Sequence, residues 1–145
     1  HYGYPFIHSA PDGSRIKDPK FGDHPDAQGL TFVDPAVRVQ AHAAVLGMSF
    51  YRGEQFPAPF SNALFVAEHG SWNRSKKVGY QVSVATFDSA GRPTYQPFIT
   101  GWLEGQKAWG RPNDVLSTPD GGLLVSDDKA GVIYRVSATK PLAAL

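Results

Sequence analysis

Short apolar runs separated by turn residues fill the last third of the chain. The stretch GRPNDVLSTPDGGLLVSDDKAGVIYRVS has such runs at residues 115–117, 123–125 and 132–136. PDGG separates the first two runs, and DDKAG separates the last two. Glycine and aspartate supply the backbone conformations and side-chain hydrogen bonds that tight reversals need. The pattern predicts three antiparallel strands in a meander, the inner part of a β-propeller blade.

The preceding segment, residues 47–100, shows the same pattern with one more strand. Strands are predicted at residues 48–51, 63–68, 80–87 and 94–99. The hexapeptide LFVAEH in this segment aligns with LLVSDD in the later one, a repeat with a period of roughly 60 residues. We therefore predict a complete four-stranded blade over 47–100 and, over 101–145, a crossover followed by a last, incomplete blade. Its missing strand is expected from elsewhere in a longer protein.

Residues 1–46 are irregular and rich in Pro and Asp, with a short strand predicted at 30–33. We interpret them as the segment that finishes a preceding blade, so that the whole chain is all-β and belongs to one propeller domain. Two blades cannot close a ring, which needs at least about four, so we expect a piece of a longer protein. The alternative is a small β-sandwich of seven or eight strands, for which the long excursion at 100–113 would be unnecessary.

Antiparallel alternation predicts which loops meet at one end of these sheets. The connections at 69–79, 100–113, 127–131 and 34–44 share one end, whereas the opposite end carries ordinary turns. The guanidinium of arginine is planar and can donate two parallel hydrogen bonds to a carboxylate, and tryptophan offers a flat apolar surface. This end therefore suits a flat, polyanionic ligand or a sugar. Its candidate residues are His42, His69, Trp72, Asn73, Arg74, Lys76, Lys77, Trp102, Lys107, Trp109, Arg111, Asn113, Asp127 and Asp128.

Each of these candidates also has a structural interpretation, which the sequence leaves open. Arg111 precedes a proline and is also suited to bind a main-chain carbonyl of the crossover. His69 stands at a strand end, where a histidine is often held by its neighbours. Asp127 and Asp128 precede a lysine-alanine-glycine turn that they are suited to cap. Lys76 and Lys77 are expected at a solvated loop tip.

Composition narrows the function classes. The chain has 145 residues, 41% of them apolar, and its 15 Gly and 12 Pro indicate many turns and little helix. A net charge of +1 gives no electrostatic case for nucleic acid. The absence of cysteine excludes thiolate metal sites and a catalytic Cys. His8, His24 and His42 show no metal-binding spacing, so we predict no metal ligand in this chain.

Four motifs carry a resemblance to a known family. In order along the chain they are LGMSFYRGEQFP, AEHGSWNR, GRPNDV and LVSDD, and the opening HYGYPF adds a fifth. Together they resemble the C-terminal part of the sorbosone/glucose dehydrogenase family, the soluble quinoprotein sugar dehydrogenases. The resemblance covers essentially the whole chain. It implies a six-bladed β-propeller with pyrroloquinoline quinone (PQQ) and calcium on the loop-rich face.

The resemblance also implies which residues contact the cofactor. PQQ is a planar tricarboxylate, which agrees with the ligand expected at the loop-rich end. His69 occupies the position of a PQQ-contacting lysine in the best-studied branch, and Arg74 is expected to replace that lysine. Arg111 and Asn113 match a pair of arginines that lead into a later blade. With Trp72, these form the predicted cofactor-binding set. The calcium ligands and the catalytic histidine are implied to lie outside this chain, so no catalytic residue is assigned here.

The implied activity is oxidation of a sugar or sugar aldehyde, of the sorbosone or aldose type, by hydride transfer to the quinone. Implied partners are the sugar, the rest of the propeller in the same or a companion chain, and a cytochrome or quinone electron acceptor. The family suggests a periplasmic or secreted location, and the chain alone is expected to be inactive. The alternative is a non-catalytic propeller that binds a carbohydrate or a protein.

Overall fold

The computed structural model describes residues 1–10 and 12–138. The chain divides into two compact units, His1–Arg38 and Val39–Leu145. Strands are the main regular elements, and the helical elements within the described residues are the short 3-10 turns Pro25–Ala27 and Ala58–Phe60. The predicted all-β class is therefore confirmed. Among the described residues, none of the helical segments has the length and apolar character of a membrane span.

The first unit is mostly loop with one small hairpin, formed by β1 (Ile7–Ser9) and β2 (Arg15–Lys17). The strand predicted at residues 30–33 is wrong. This segment has a backbone hydrogen bond from Val33 N to the His1 carbonyl (2.9 Å), but it joins no ladder. The side chains of Leu30 and Val33 are 36% and 54% exposed, so no buried face holds the segment in a sheet.

The second unit begins with the predicted four-stranded meander. Its strands are β3 (Val45–Phe50), β4 (Leu64–Glu68), β5 (Gln81–Phe87) and β6 (Pro93–Ile99), and they pair in that order. The predicted strands are confirmed, with ends displaced by up to three residues. The largest displacement is in β3, which starts at Val45 because its pairing with β4 continues past an irregularity to Glu68.

The connection between the two sheets contains a hairpin that the sequence pattern did not predict. Its strands are β7 (Leu103–Glu104) and β8 (Lys107–Ala108), and Trp109 N extends the pairing to the Trp102 carbonyl (3.0 Å). Gly105 in the turn has a φ of 59°, a conformation that glycine adopts without strain. Two-residue strands are too short to leave a periodic signal, so the segment was expected to be plain crossover.

The last sheet is the predicted three-stranded meander. It contains β9 (Pro112–Ser117), β10 (Leu123–Asp127) and β11 (Val132–Val136), with β10 in the middle. Both pairings are antiparallel, and β11 forms one edge. The end of the predicted last segment, residues 139–145, lies outside the described residues.

The two sheets of the second unit pack against each other, with the inner strand β3 against β9. The two sheets share one core, which fully buries Phe65, Val82 and Val84 of the first sheet and Leu123 and Val125 of the second. Gly47 permits the close approach of the inner strands, because a Cβ there would lie 2.6 Å from the Asp114 Cα. The sheets are thus docked face to face through their inner strands.

The outer faces of this pair of sheets remain apolar. On β3, the exposed side chains alternate with partly buried positions, and Leu46, Met48 and Phe50 are 47%, 56% and 50% exposed. On the far face of the last sheet, Leu116 and Ile133 are 58% and 69% exposed. A self-contained sandwich presents polar residues on its outer faces. Apolar outer faces favour the other prediction, in which these sheets belong to a longer stack.

Candidate functional site

The loops predicted to share one end of the sheets do meet there. His69 Nε2 lies 2.8 Å from Asp128 Oδ1, which joins the loop after β4 to the turn after β10. Lys77 N donates to Gln106 Oε1 (2.7 Å), which joins the same loop to the β7–β8 hairpin. The segment before β3 reaches this end too, because His69 N donates to the Ala44 carbonyl (2.9 Å). We call this the loop-rich end.

The opposite end holds turn residues tied by main-chain contacts. Tyr51 donates its hydroxyl hydrogen to the Gly121 carbonyl (2.6 Å) and accepts from the N–H groups of Gln55 and Phe56 (3.0 Å each). Gln55 also donates to the Asp120 carbonyl (2.5 Å). This end is therefore a structural clasp between the sheets, and the candidate chemistry lies at the loop-rich end.

Arg111 connects the two sheets at the loop-rich end. Its Nε donates to the His69 carbonyl (3.0 Å) and its Nη2 donates to the Gly70 carbonyl. The guanidinium also lies over the ring of Tyr80, 5.4 Å from the centroid. Arg111 thus binds main-chain carbonyls, but these belong to the loop after β4 and not, as the structural alternative expected, to the crossover. Within the described part of the chain, Nη1 donates to no protein group, so one edge of the fork stays open to a ligand.

The adjacent carboxylates Asp127 and Asp128 have different tasks. Asp127 is 1% exposed and accepts hydrogen bonds from the N–H groups of Arg111 (2.9 Å) and Ala130 (2.8 Å) and from the Tyr134 hydroxyl (3.2 Å). It caps the turn, as the structural interpretation expected. Asp128 instead pairs with His69, so the capping interpretation is wrong for this residue.

The hydrogen bond between His69 and Asp128 determines the charge of this pair. The hydrogen bond from His69 is the main cause that lowers the pKa of Asp128, and the positive charge of Arg111 adds to it. The His69 side chain is 17% exposed and that of Asp128 is 53% exposed. A carboxylate with a lowered pKa stays ionised at neutral pH, so the pair presents a fixed negative charge beside the Arg111 guanidinium.

Arg74 and Trp72 lie on the loop after β4 but are placed differently from Arg111. Arg74 donates from Nε to the Lys76 carbonyl (2.9 Å) and from Nη1 to the Ala41 carbonyl (3.2 Å), so it holds the loop in shape. Trp72 is 85% exposed, with its ring open to solvent. Lys76 is exposed and Lys77 is partly buried. None of the described contacts joins Arg74 or Trp72 to Arg111 or to the His69 side chain.

Asn113 lines an open cleft beside the turn after β10. The cleft has a volume of about 260 Å³ and is also lined by Ser126, Asp127, Asp128, Gly131, Val132 and Ile133. Asn113 thus shares a surface with Asp128. Of the five predicted cofactor-binding residues, the structure brings His69 and Arg111 together and connects Asn113 to them through Asp128. Trp72 and Arg74 lie on the same loop as His69 but apart from this group.

Sequence reasoning missed a buried polar network at the end of β4. The Glu68 side chain is 3% exposed and accepts hydrogen bonds from Ser83 Oγ (2.6 Å), the Tyr95 hydroxyl (2.7 Å) and Gln81 Nε2 (3.2 Å). Burial and the Glu68 carboxylate raise the pKa of Tyr95. The one available signal was a charged residue closing an apolar strand. The network fixes the strand end from which the His69 side chain extends.

The described residues contain no cluster of three or more His, Cys, Asp or Glu side chains that would hold a metal ion. The acidic pair at 127–128 does not provide one, because Asp127 is occupied by the turn and Asp128 by His69.

Comparison with known proteins gives a family match over nearly the whole chain. A family model described as TrAA12-like matches residues 1–139. An uncharacterized protein of Borreliella burgdorferi is 40% identical over 140 residues, which cover 94% of this chain and 35% of the relative. The chain thus spans about a third of the length of that relative.

Solved structures of similar fold include two kinds of protein. The holo form of the pyranose dehydrogenase PQQ domain from Coprinopsis cinerea matches with a TM-score of 0.71 and 26% identity, over 94% of this chain and 40% of that one. An iodide structure and a calcium structure of Trichoderma reesei carbohydrate-active enzymes family AA12 each match with a TM-score of 0.67 and 22% identity. They are covered to 39% and 38% of their lengths.

Proposed function

Since this chain belongs to the TrAA12-like family, we propose that it forms two neighbouring sheets of a β-propeller that binds PQQ and oxidises a carbohydrate. Its fold is that of PQQ-dependent sugar oxidoreductase domains. The chain covers 40% or less of the similar structures, which supports the proposal that the remaining sheets lie elsewhere, in the same or a companion chain. A sugar or sugar aldehyde of the sorbosone or aldose type is the proposed substrate.

The propeller part of the proposal is supported by the packing. Adjacent blades of a propeller stack face to face, with their inner strands nearest the axis. The β3–β9 approach at Gly47 has this arrangement. The apolar outer faces on β3 and on the last sheet are where further blades would pack, and β11 leaves an edge for a fourth strand.

The convergence of His69 and Arg111 at the loop-rich end is the observation that carries the cofactor assignment. Arg111 is immobilised by two carbonyls and a tyrosine ring, and Nη1 remains for a ligand. The hydrogens left on Nη1 can donate a charge-assisted hydrogen bond to a ligand carboxylate. A planar tricarboxylate supplies such an acceptor, whereas Trp72, which is 85% exposed, lies on the same loop as His69 but apart from this group.

The chemistry divides between the cofactor and the protein. Bound PQQ supplies the two-electron acceptor that takes hydride from a sugar carbon. In this chain, Arg111 would hold a carboxylate of the ligand through Nη1, and His69 would offer a ring nitrogen.

The proposal is tested on the complete protein. PQQ is titrated into it while its absorption spectrum is recorded, and reduction of a dye acceptor is then followed with aldoses and pyranoses. We expect a bound-quinone spectrum and sugar-dependent dye reduction. If the folded protein gives neither, the proposal fails and the alternative, a non-catalytic propeller that binds a carbohydrate or a protein partner, takes its place.

A further inference from the structure

The His69–Asp128 pair has a feature that the cofactor assignment leaves unused. The two residues come from different sheets and are separated by 59 positions, yet Nε2 and Oδ1 lie 2.8 Å apart. The imidazole is mostly buried, with 17% of its side chain exposed. A ring held in this way has one defined nitrogen facing the carboxylate and the other facing away from it.

The turn itself does not need Asp128. The Asp127 side chain accepts the Ala130 N–H, which closes the turn, and also the Arg111 N–H and the Tyr134 hydroxyl, while the Asp127 carbonyl accepts from Gly131 N (2.9 Å). Asp128 bonds none of these groups. The Asp128 side chain therefore does not cap the turn. Among the described residues, it forms its hydrogen bond with His69.

The proton between the two groups has a determined position. The hydrogen bond from His69 and the charge of Arg111 lower the pKa of Asp128. An ionised carboxylate only accepts hydrogen bonds, so Nε2 carries the hydrogen. The Arg111 guanidinium donates to the His69 carbonyl and therefore supports the same loop from the other side. When the imidazole is neutral, Nδ1 then carries no hydrogen. Within the described residues Nδ1 has no hydrogen-bond partner.

We propose that Asp128 is a positioning residue, which holds His69 with Nε2 as donor and so presents Nδ1 to the bound quinone cofactor as a hydrogen-bond acceptor, suited to an N–H group of that ligand rather than to its carboxylates. The inference rests on the proposed function for the identity of the ligand. The positioning itself depends on this chain alone. For histidines that ligate a metal, removal of the outer group that orients the ring typically costs about 10–100-fold in affinity or activity, and we expect an effect at the lower end of that range here.

The first measurement uses the complete protein with 15N-labelled histidine and no cofactor. A hydrogen-bonded Nε2–H gives a slowly exchanging proton that is visible in 1H–15N spectra, and His69→Gln assigns it. We expect this proton in the wild type, its loss in Asp128→Ala, and its return in Asp128→Glu, which restores an acceptor. Asp88→Ala removes a turn carboxylate at the opposite end of the sheets and serves as the matched control.

The second measurement is PQQ affinity in the same variants, with thermal midpoints recorded in parallel. We expect Asp128→Ala to weaken PQQ binding about 10-fold, Asp128→Glu to recover most of it, and Asp88→Ala to leave it unchanged. A fall in thermal midpoint with unchanged PQQ affinity makes the pair an ordinary bridge between the sheets and overturns the inference.

The two measurements separate the inference from the proposed function. If the wild type binds PQQ but shows no Nε2 proton, the inference is overturned and the proposed function stands. If the folded wild type binds no PQQ, the proposed function is overturned, and with it the ligand named for Nδ1.

Discussion

At the scale of single residues, Arg111 shows how a structural role and a binding role combine in one side chain. Three of its groups are engaged: the main-chain N–H with Asp127, and Nε and Nη2 with two carbonyls of the neighbouring loop. These contacts orient the guanidinium before any ligand arrives. Preorganisation of this kind lowers the entropy cost of binding.

Replacing Arg111 by Ala is therefore expected to weaken PQQ binding by about 1.5–3 kcal/mol, the range for a hydrogen bond to a charged group. Arg111→Lys is expected to recover little, because an ammonium cannot reproduce the two-carbonyl fork. PQQ titration checks both variants. Arg135→Ala, which removes an exposed arginine paired with Asp120, is the control. An unchanged affinity in a folded Arg111→Ala protein contradicts the assignment.

Asp120 gives a prediction about pH. Hydrogen bonds from Thr118 (2.5 Å) and Arg135 lower the pKa of Asp120 from 3.8 to about 2. A group whose pKa is lower in the folded state stabilises the protein above its unfolded pKa and loses that effect as the pH falls through the folded one. The difference in thermal midpoint between wild type and Asp120→Asn should thus be full above about pH 4 and shrink toward pH 2. A difference that stays constant over this range argues against the shift.

At the level of secondary structure, the sequence predicted where the strands lie, but it did not predict the side-chain contacts between the two sheets. Apolar runs bounded by Gly and Asp gave every strand of both sheets in the second unit, because turn chemistry is local. The β7–β8 hairpin was missed because two-residue strands leave no pattern. Residues 30–33 look like a strand but find no ladder partner. The predicted shared end followed from topology alone, whereas the His69–Asp128 contact depends on how the two sheets pack.

A substitution of Tyr51 can test how the two sheets are held together at the opposite end. Its buried hydroxyl serves two main-chain N–H groups and one carbonyl across the two sheets. Tyr51→Phe leaves these groups without their partner, so we expect a loss of about 1–3 kcal/mol in the free energy of unfolding. Chemical denaturation of the complete protein measures it. Tyr2→Phe, at a side chain that is 85% exposed, should change nothing. If the two variants are equally stable, the Tyr51 hydroxyl does not hold the two sheets together.

At the scale of the whole molecule, the apolar outer faces decide whether these sheets stand alone. Leu46, Met48 and Phe50 on one side and Leu116 and Ile133 on the other expose large side chains. Contiguous apolar surface of this kind marks an interaction site. In the complete protein, the proposed neighbours of these faces are further sheets.

The 145-residue chain by itself is accordingly expected to associate in solution. Sedimentation velocity should show oligomers, and the double substitution Met48→Lys and Ile133→Lys should shift the distribution toward monomer by placing charges on both outer faces. Asp88→Lys, in a turn away from these faces, is the matched control. A stable monomer for the unsubstituted chain counts against the longer stack.

We propose that the loop ends of the two docked sheets converge on a flat anion. A structure of the complete protein with PQQ bound tests it most directly. We predict further sheets packed on both outer faces, with the cofactor within hydrogen-bonding distance of Arg111 Nη1 and the His69 ring. A cofactor seated at the Tyr51–Gly121 end, or a closed two-sheet sandwich, would contradict it.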